Sequence, residues 1–312
     1  MLEGNTFGTY YRIKIASRDK DTSLRGKIQK IFDEVNQKMS VFEPASELNE
    51  INRAPAGRKI NVSRELYNIL QTSKEVYEKS GGRFDPSVEP LIELWGFGIN
   101  KKHLSPNDKK IKKTLEYCGF DKIRLSEQTN AVSKKHDKTT LNLSAIAKGY
   151  AVDRVAELLR SLGYKDFLVD IGGEVYASGR KNKRTRGWNV GIAHPAPDSR
   201  KNMFIIELQD MAVATSGDYR NFFTQNGKRY SHAISPQTGR PAEHNLASVT
   251  VFNPSCMLAD AYATAILTAG EEEGLALANK QNIAAVLFVR TPENTIDVRY
   301  SQATQKNGMT TP

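Results

Sequence analysis

Polar and apolar positions alternate over "YYRIKIA" (10–16), which predicts a strand. The period then lengthens. Leu24, Ile28, Ile31, Val35 and Met39 recur at helical spacing, so an amphipathic helix is expected from Thr22 to Met39. A second helix is expected from Ser63 to Ser80, stopped by Gly81-Gly82, and a third from about Ala145 to Leu162, stopped by Gly163. The stretch 100–140 between them is polar with only short apolar pieces and reads as an excursion from the main body. Strand signals dominate afterwards. "FLVDI" (167–171) runs into Gly172-Gly173, and "EVYASG", "WNVGIA", "MFIIEL" and "ASVTVF" follow between Gly, Pro and Asn turns. "CMLADAYATAILTAG" (256–270) is almost wholly small or apolar and predicts a buried helix that starts at Asn253-Pro254 and stops at Gly270. A helix over Glu271–Gln281 and a strand at "AAVLFV" (284–289) complete the pattern. Runs of strands with helices grouped between them predict an α+β fold with a mainly antiparallel sheet core and packed helices, rather than regular βαβ alternation. A single domain over 5–300 is expected, with 301–312 as a flexible tail.

Composition changes little in this picture. With 312 residues and 39% hydrophobic content the chain can bury a sizeable core. No apolar run is long enough to span a membrane. The opening "MLEGNTFGTYY" lacks the basic and apolar regions of a signal peptide, so an exported form would have had its leader removed. Cys118 and Cys256 suggest neither a disulfide framework nor a zinc site and are expected to be semi-buried. The net charge of +10 suits anionic partners, but its clusters, "NKKHLSPNDKKIKK" (100–113) and "GRKNKRTRG" (179–187), sit among turn formers without interleaved aromatics. They read as solvated loops, and a nucleic-acid partner is not expected.

Candidate chemistry centres on the apolar helix. Asp260 lies well inside it, too far along to cap it, and shares a face with Thr264 one turn later. An ionised carboxylate there is costly unless something pairs with it. Hard oxygen donors suit Mg²⁺, which takes one or two carboxylates and completes its shell with water and phosphate oxygens. The competing reading is an Asp paired with an arginine elsewhere and a Thr bonded to its own helix. "LNLSAIAKGYAVD" (141–153) passes from a short strand into a helix, whose N-terminus favours phosphate. Lys148 adds positive charge there, and Ala145, Ala147 and Gly149 leave room for close approach; a plain turn with a surface lysine is the alternative. Asp170 with Gly172-Gly173 marks a sharp turn or a ligand passage. Thr215, Ser216 and Gly217 could form a polar lip or a turn, and His232, in a short strand, is the natural general base near neutral pH. Phe42, Phe84, Trp95 and Phe97 lie in loops, where aromatics stack planar ligands or simply bury.

The order of the motifs is more telling than any one of them. "FGT" (7–9), "MSVF" (39–42), "GGRFDPSVEPLIELWGFG" (81–98), "LSAIAKGYAVD", "DIGG" (170–173), "SGDYRN", "SHAISPQTGRP" and "DAYAT" together resemble the FAD:protein FMN transferases, the ApbE-type flavin transferases, over roughly residues 5–290. The resemblance implies an ApbE-like, T-fold-related α+β architecture with one FAD site. It implies Mg²⁺-dependent transfer of FMN from FAD onto a Thr or Ser hydroxyl of a target protein through a phosphoester, with release of AMP. Asp260 and Thr264 would then be metal ligands together with a backbone oxygen of Ala145. Phe7, Phe42, Arg83, Phe84, Asp85, Asn142, Lys148, Ser216, Ala233 and Ile234 would contact FAD. His232 and Asp260 would be catalytic, His232 as base. The chain departs from many relatives at Phe7, where Met is common, at Phe42, where Tyr is common, at Asn142, where Asp is common, and at Ala263, where some have a second carboxylate. The last change would leave Asp260 as the one sure charged ligand. Membrane redox subunits carrying covalent FMN are the acceptors the resemblance implies, with the enzyme periplasmic and tethered to the inner membrane by a lipid anchor outside this chain. A Mg²⁺-dependent FAD pyrophosphatase and a non-catalytic FAD-binding protein are the rival readings.

Overall fold

A computed structural model describes residues 1–17, 21–99, 105–195, 202–219, 222–225, 227–293 and 295–306. In chain order the elements are β1 (Leu2–Thr6), β2 (Thr9–Ile15), α1 (Leu24–Met39), α2 (Glu47–Arg53), β3 (Ile60–Asn61), α3 (Arg64–Lys79), α4 (Glu89–Trp95), α5 (Asp108–Leu115), β4 (Ile123–Ser126) and β5 (Ala131–Lys134). They continue with α6 (Ser144–Ser161), β6 (Phe167–Ile171), β7 (Glu174–Ser178), β8 (Trp188–Ala193), β9 (Asn202–Leu208), β10 (Met211–Gly217), β11 (Phe222–Gln225), β12 (Lys228–Ser231) and β13 (Leu246–Asn253). The last are α7 (Cys256–Ala269), α8 (Glu271–Lys280), β14 (Ala284–Arg290), β15 (Ile296–Tyr300) and α9 (Gln302–Lys306). The chain forms two compact units, one of Met1–Glu34, Ile146–Arg220 and Asn245–Pro312, the other of Val35–Ala145 and Asn221–His244.

The first unit is built on an eight-stranded sheet in the order β1-β2-β6-β7-β10-β13-β14-β15. Every neighbouring pair is antiparallel, as the sequence pattern predicts. Two tight hairpins set its register. The first turns through Phe7 and Gly8, both at positive φ, and the edge of the Phe7 ring packs on Phe32 with centroids 5.5 Å apart. The second turns through Gly172 and Gly173, also at positive φ; a Cβ on Gly172 would lie 2.7 Å from Thr9 Cγ2, so only glycine fits. One sheet face packs through Leu168, Val175, Val213, Phe252, Val286 and Phe288 against Trp188, Ile192 and Leu208 of the β8–β9 ribbon. Helix α7 packs on β10 and β13. Its cap is Ser255, whose Oγ accepts the Leu258 N–H at 3.3 Å, rather than the expected Asn253-Pro254. Asp153 of α6 reinforces that end, accepting from Ser255 Oγ (2.8 Å), Cys256 N–H (2.8 Å) and Met257 N–H (3.0 Å). The tail expected from residue 301 is instead ordered in part. Residues 302–306 form α9, and Ala303 and Thr304 are buried. Residues 307–312 lie outside the described residues.

The second unit collects the rest. Ser46 and Ser63 cap α2 and α3 through Asn49 N–H and Leu66 N–H. The polar stretch expected to be an excursion is integral here: β5 is the centre of a three-stranded sheet β3-β5-β4, with Ile123, Ala131 and Val132 buried. Lys134 in that strand is buried, and its ammonium donates to the carbonyls of Asn52, Asp137 and Thr139. A second cluster gathers Leu91, Trp95, Ile111, Cys118 and Ile234. Trp95 Nε1 donates to Gly239 O at 2.8 Å, and a Cβ on Gly239 would meet Ile111, Leu91 and Leu115. The glycine of "SPQTGRP" is therefore a packing requirement. Cys118 and Cys256 are both buried rather than semi-buried, and burial pushes both thiols up, Cys118 to about 12.

Candidate functional site

Asp260 is 3% exposed, on the second turn of a helix whose surroundings are small and apolar. The structure answers what it faces. Its Oδ2 accepts the backbone N–H of Gly149, on α6, at 3.0 Å, and its Oδ1 is 3.8 Å from Lys148 Nζ. Among the described residues no arginine pairs with it. Gly149 allows this contact because α6 and α7 touch there: a Cβ would lie 2.3 Å from Cys256 O and 2.8 Å from Met257 Cα. The small residue of "AIAKGY" thus makes room for a helix backbone.

Lys148 joins a second carboxylate. Its Nζ lies 2.7 Å from Glu174 Oε1, the first residue of β7. Glu174 is 4% exposed, and its Oε2 is buried with no hydrogen-bond partner among the described residues. The Gly172-Gly173 turn delivers it, braced by the Gly173 N–H to Asp170 Oδ1 at 3.1 Å. Burial alone would lower the Lys148 ammonium, but Asp260 and Glu174 outweigh it and hold it above its ordinary value. Burial pushes Glu174 up to about 7, against the pull of Lys148. Thr264, one turn after Asp260, is half-buried, and its Oγ1 lies 3.4 Å from Ser216 Oγ on β10.

Two buried carboxylates against one ammonium leave this cluster net negative, with a carboxylate oxygen unpartnered. A small cation answers that imbalance. The donors are all oxygens. Among the described residues no group of three His, Cys, Asp or Glu gathers to hold a metal. A soft-metal cage is therefore not built, whereas Mg²⁺ needs only one or two carboxylates. Asp260 and Thr264 fit that demand.

In the second unit the expected FAD-contact residues differ in exposure. Phe42 is 65% exposed, with its face available. Phe84 and Asp85 are buried, and Asp85 Oδ1 accepts from Ser87 N–H (2.8 Å) and Ser87 Oγ (2.7 Å). Burial holds Asp85 up at about 6. Asn142 is tied down at several points: its N–H donates to Pro86 O (2.7 Å), its Nδ2 to Glu89 Oε2 (2.6 Å), and its Oδ1 accepts from Ser144 N–H (2.8 Å) where α6 begins. Glu89 is itself buried and raised to about 7 by that burial. Arg83 is half-buried, and Ala145 lies in the first turn of α6. His232 follows β12 and is half-buried; Ala233 and Ile234 are buried beside the bridge that pairs Ile234 with Pro241. Arg220 and Asn221 of "SGDYRN" lie outside the described residues. Glu174 and Asp153 were not singled out from the sequence. An acid directly after a Gly-Gly turn, opening an otherwise apolar strand, was the signal for the first; Asp153 carried none.

The sequence profile of the ApbE family matches residues 7–288. A protein named FAD:protein FMN transferase from Vibrio cholerae is 36% identical over 296 residues, which is 94% of this chain and 88% of that one. Another of that name from Haemophilus influenzae is 35% identical over 314 residues, 98% of this chain and 90% of its own. Among solved structures, the flavin transferase ApbE from Vibrio cholerae superposes with a TM-score of 0.88 at 34% identity, covering 98% of this chain and 97% of that one. The apo flavinyl transferase ApbE of Pseudomonas stutzeri gives 0.89 at 33% identity, over 98% and 95%.

Proposed function

The chain belongs to the ApbE family, and from that premise we infer that it is a flavin transferase moving FMN from FAD onto a target protein. The observation that carries the chemistry is the buried, net-negative group of Asp260, Lys148 and Glu174, with Thr264 one turn away. In this reading Asp260 and Thr264 would hold Mg²⁺, and the resemblance adds the backbone oxygen of Ala145. Bound there, the metal would act as a Lewis acid on the phosphoryl oxygens. Lys148 supplies a positive charge for the pyrophosphate, and Ser216 orients the Thr264 hydroxyl through their contact. Phe42 offers an exposed aromatic face for a planar ring. Arg83, Phe84, Asp85, Asn142, Ala233 and Ile234 enter this reading through the resemblance, with Phe84, Asp85 and Asn142 shaping backbone through their own packing. Phe7 packs on Phe32 and shapes the first hairpin.

The reaction balances simply. The acceptor hydroxyl oxygen attacks the phosphorus on the FMN side of FAD, a P–O bond forms, and the pyrophosphate bridge breaks. AMP leaves with the bridging oxygen, and the hydroxyl proton passes to a base, for which His232 has the right chemistry. Acceptors among membrane redox subunits, a Thr or Ser attachment point, and a periplasmic, lipid-anchored location belong to the same proposal. Among the described residues no helix is long and apolar enough to cross a membrane.

The test is to incubate the full chain with FAD, Mg²⁺ and a candidate acceptor domain. An acceptor band that fluoresces in a denaturing gel, with one AMP released per label, is the expected result. FAD consumed to free FMN and AMP without labelling would replace the proposal with hydrolysis. Labelling that survives exhaustive chelation would remove the metal.

A further inference from the structure

Lys148 is one cation shared unequally between two carboxylates. Its Nζ is 2.7 Å from Glu174 Oε1, a hydrogen bond, and 3.8 Å from Asp260 Oδ1, which is not one. Asp260 already spends Oδ2 on the Gly149 N–H, so Oδ1 is the oxygen left for a ligand. A lysine ammonium is a compact charge on a flexible stem, and nothing in its own chemistry prefers the farther or the nearer acid. The choice is made by where Glu174 stands. That position is fixed by the sheet: Glu174 pairs with Ile171 across the Gly172-Gly173 turn. A carboxylate kept only for packing would have both oxygens satisfied. Glu174 keeps one buried oxygen unpartnered and still holds the lysine.

We propose that Glu174 is a positioning residue for the divalent cation: by holding the Lys148 ammonium it keeps Asp260 Oδ1 open, and without it Lys148 closes onto Asp260 and takes the metal's place. The inference rests on Asp260 being a metal ligand. It assigns Glu174 no contact with the metal or with the reacting atoms. It also gives Lys148 two states, docked on Glu174 when Asp260 serves a metal and drawn to Asp260 when Glu174 is gone.

The experiment is a titration of the full chain with Mn²⁺, which takes the same oxygen ligands as Mg²⁺, reading free Mn²⁺ by its paramagnetic resonance signal with no FAD present. Four variants are needed: Glu174→Gln, Lys148→Met, both together, and Asp260→Asn. Glu174→Gln is expected to weaken Mn²⁺ binding by about 10- to 100-fold, the usual effect of losing a group that orients a ligand. Lys148→Met is expected to bind Mn²⁺ more tightly than the parent. In the Lys148→Met background Glu174→Gln should cost nothing further, because there is no ammonium left to restrain. If the Glu174 change costs as much without Lys148 as with it, Glu174 acts on the cation directly and the proposal fails. Unchanged affinity in Glu174→Gln overturns it as well. Asp260→Asn separates the two levels: if it binds Mn²⁺ like the parent, the metal site itself is wrong, whereas its loss of binding leaves only the role of Glu174 at stake. Should Lys148→Met not fold, Glu174→Asp serves instead. It keeps the charge but withdraws the oxygen by one methylene, and should weaken Mn²⁺ as Glu174→Gln does; parent-like binding by Glu174→Asp overturns the proposal.

Discussion

Replacing Gly149 with alanine sets two physical effects against each other. In a helix interior the change should stabilise, because alanine exceeds glycine in helix propensity by about 1 kcal/mol. In the structure the new Cβ would fall 2.3 Å from Cys256 O, 2.7 Å from Cys256 C and 2.8 Å from Met257 Cα, all backbone atoms of the facing helix. Backbone cannot swing aside as a side chain can, so α6 and α7 must part by roughly 1 Å to restore ordinary carbon contacts. Overpacking of this kind costs about 1–3 kcal/mol. The same displacement stretches the Gly149 N–H bond to Asp260, now 3.0 Å, and a hydrogen bond to a charged group contributes about 1.5–3 kcal/mol. The sum, less the helix gain, is a destabilisation of roughly 1.5–5 kcal/mol. Thermal unfolding followed by circular dichroism should show the midpoint falling by several degrees or more. A midpoint equal to the parent's, or slightly raised as propensity alone demands, would refute the close helix contact.

Glu89 offers a pH-dependent test. Its folded carboxyl is raised from 4.5 to about 7 by burial, so its contribution to stability is present below about 4.5 and lost as pH rises through about 7. Glu89→Gln is therefore expected to match the parent in urea near pH 4.5 and to exceed it by up to about 3 kcal/mol at pH 8; an equal offset at both pH values would contradict this. Asp153→Ala removes the acceptor for Ser255 Oγ and for two α7 amides, and should cost about 2 kcal/mol or more. Faster hydrogen exchange at Cys256 and Met257 is its local signature, and unchanged exchange there would discount the cap. Phe42→Ala touches an exposed ring and should leave stability within about 0.5 kcal/mol. It should weaken FAD at least about fivefold by fluorescence titration, since a stacked base contributes about 1–3 kcal/mol; parent-like FAD affinity would exclude stacking.

The long apolar-periodic elements were legible in the sequence. Helices α1, α3, α6 and α7, and strands β2, β6, β7, β8, β9, β13 and β14, fall where periodicity puts them, because each buries a face broad enough to leave a repeating pattern. The short ones were not: α2 and α4 have too few turns for a period, and the two residues of β3 have none. Nor does composition mark the division into two units, because two of the boundaries between them, at 34/35 and 145/146, fall inside α1 and α6, where no linker residues could stand. At the candidate site, Asp260, Thr264 and Lys148 stood out as polar residues in the wrong setting. Glu174 carries only the weak signal of an acid after the Gly-Gly turn, since a salt bridge across 26 residues of sequence leaves nothing local that names its partner. The sequence suggests Gly149 as room for a ligand's close approach, whereas the backbone of α7 fills that space.

The two cysteines carry a consequence for handling. A thiol reacts as its thiolate, and Cys118, held at about 12, exposes roughly one thiolate in 10⁵ at pH 7. Burial also pushes Cys256 well above the usual thiol range, and its Sγ lies against the Val175 carbonyl. Neither sulfur can be reached by an oxidant, a mixed disulfide or an alkylating probe without first opening a core. Both thiols are therefore expected to resist modification while the chain stays folded.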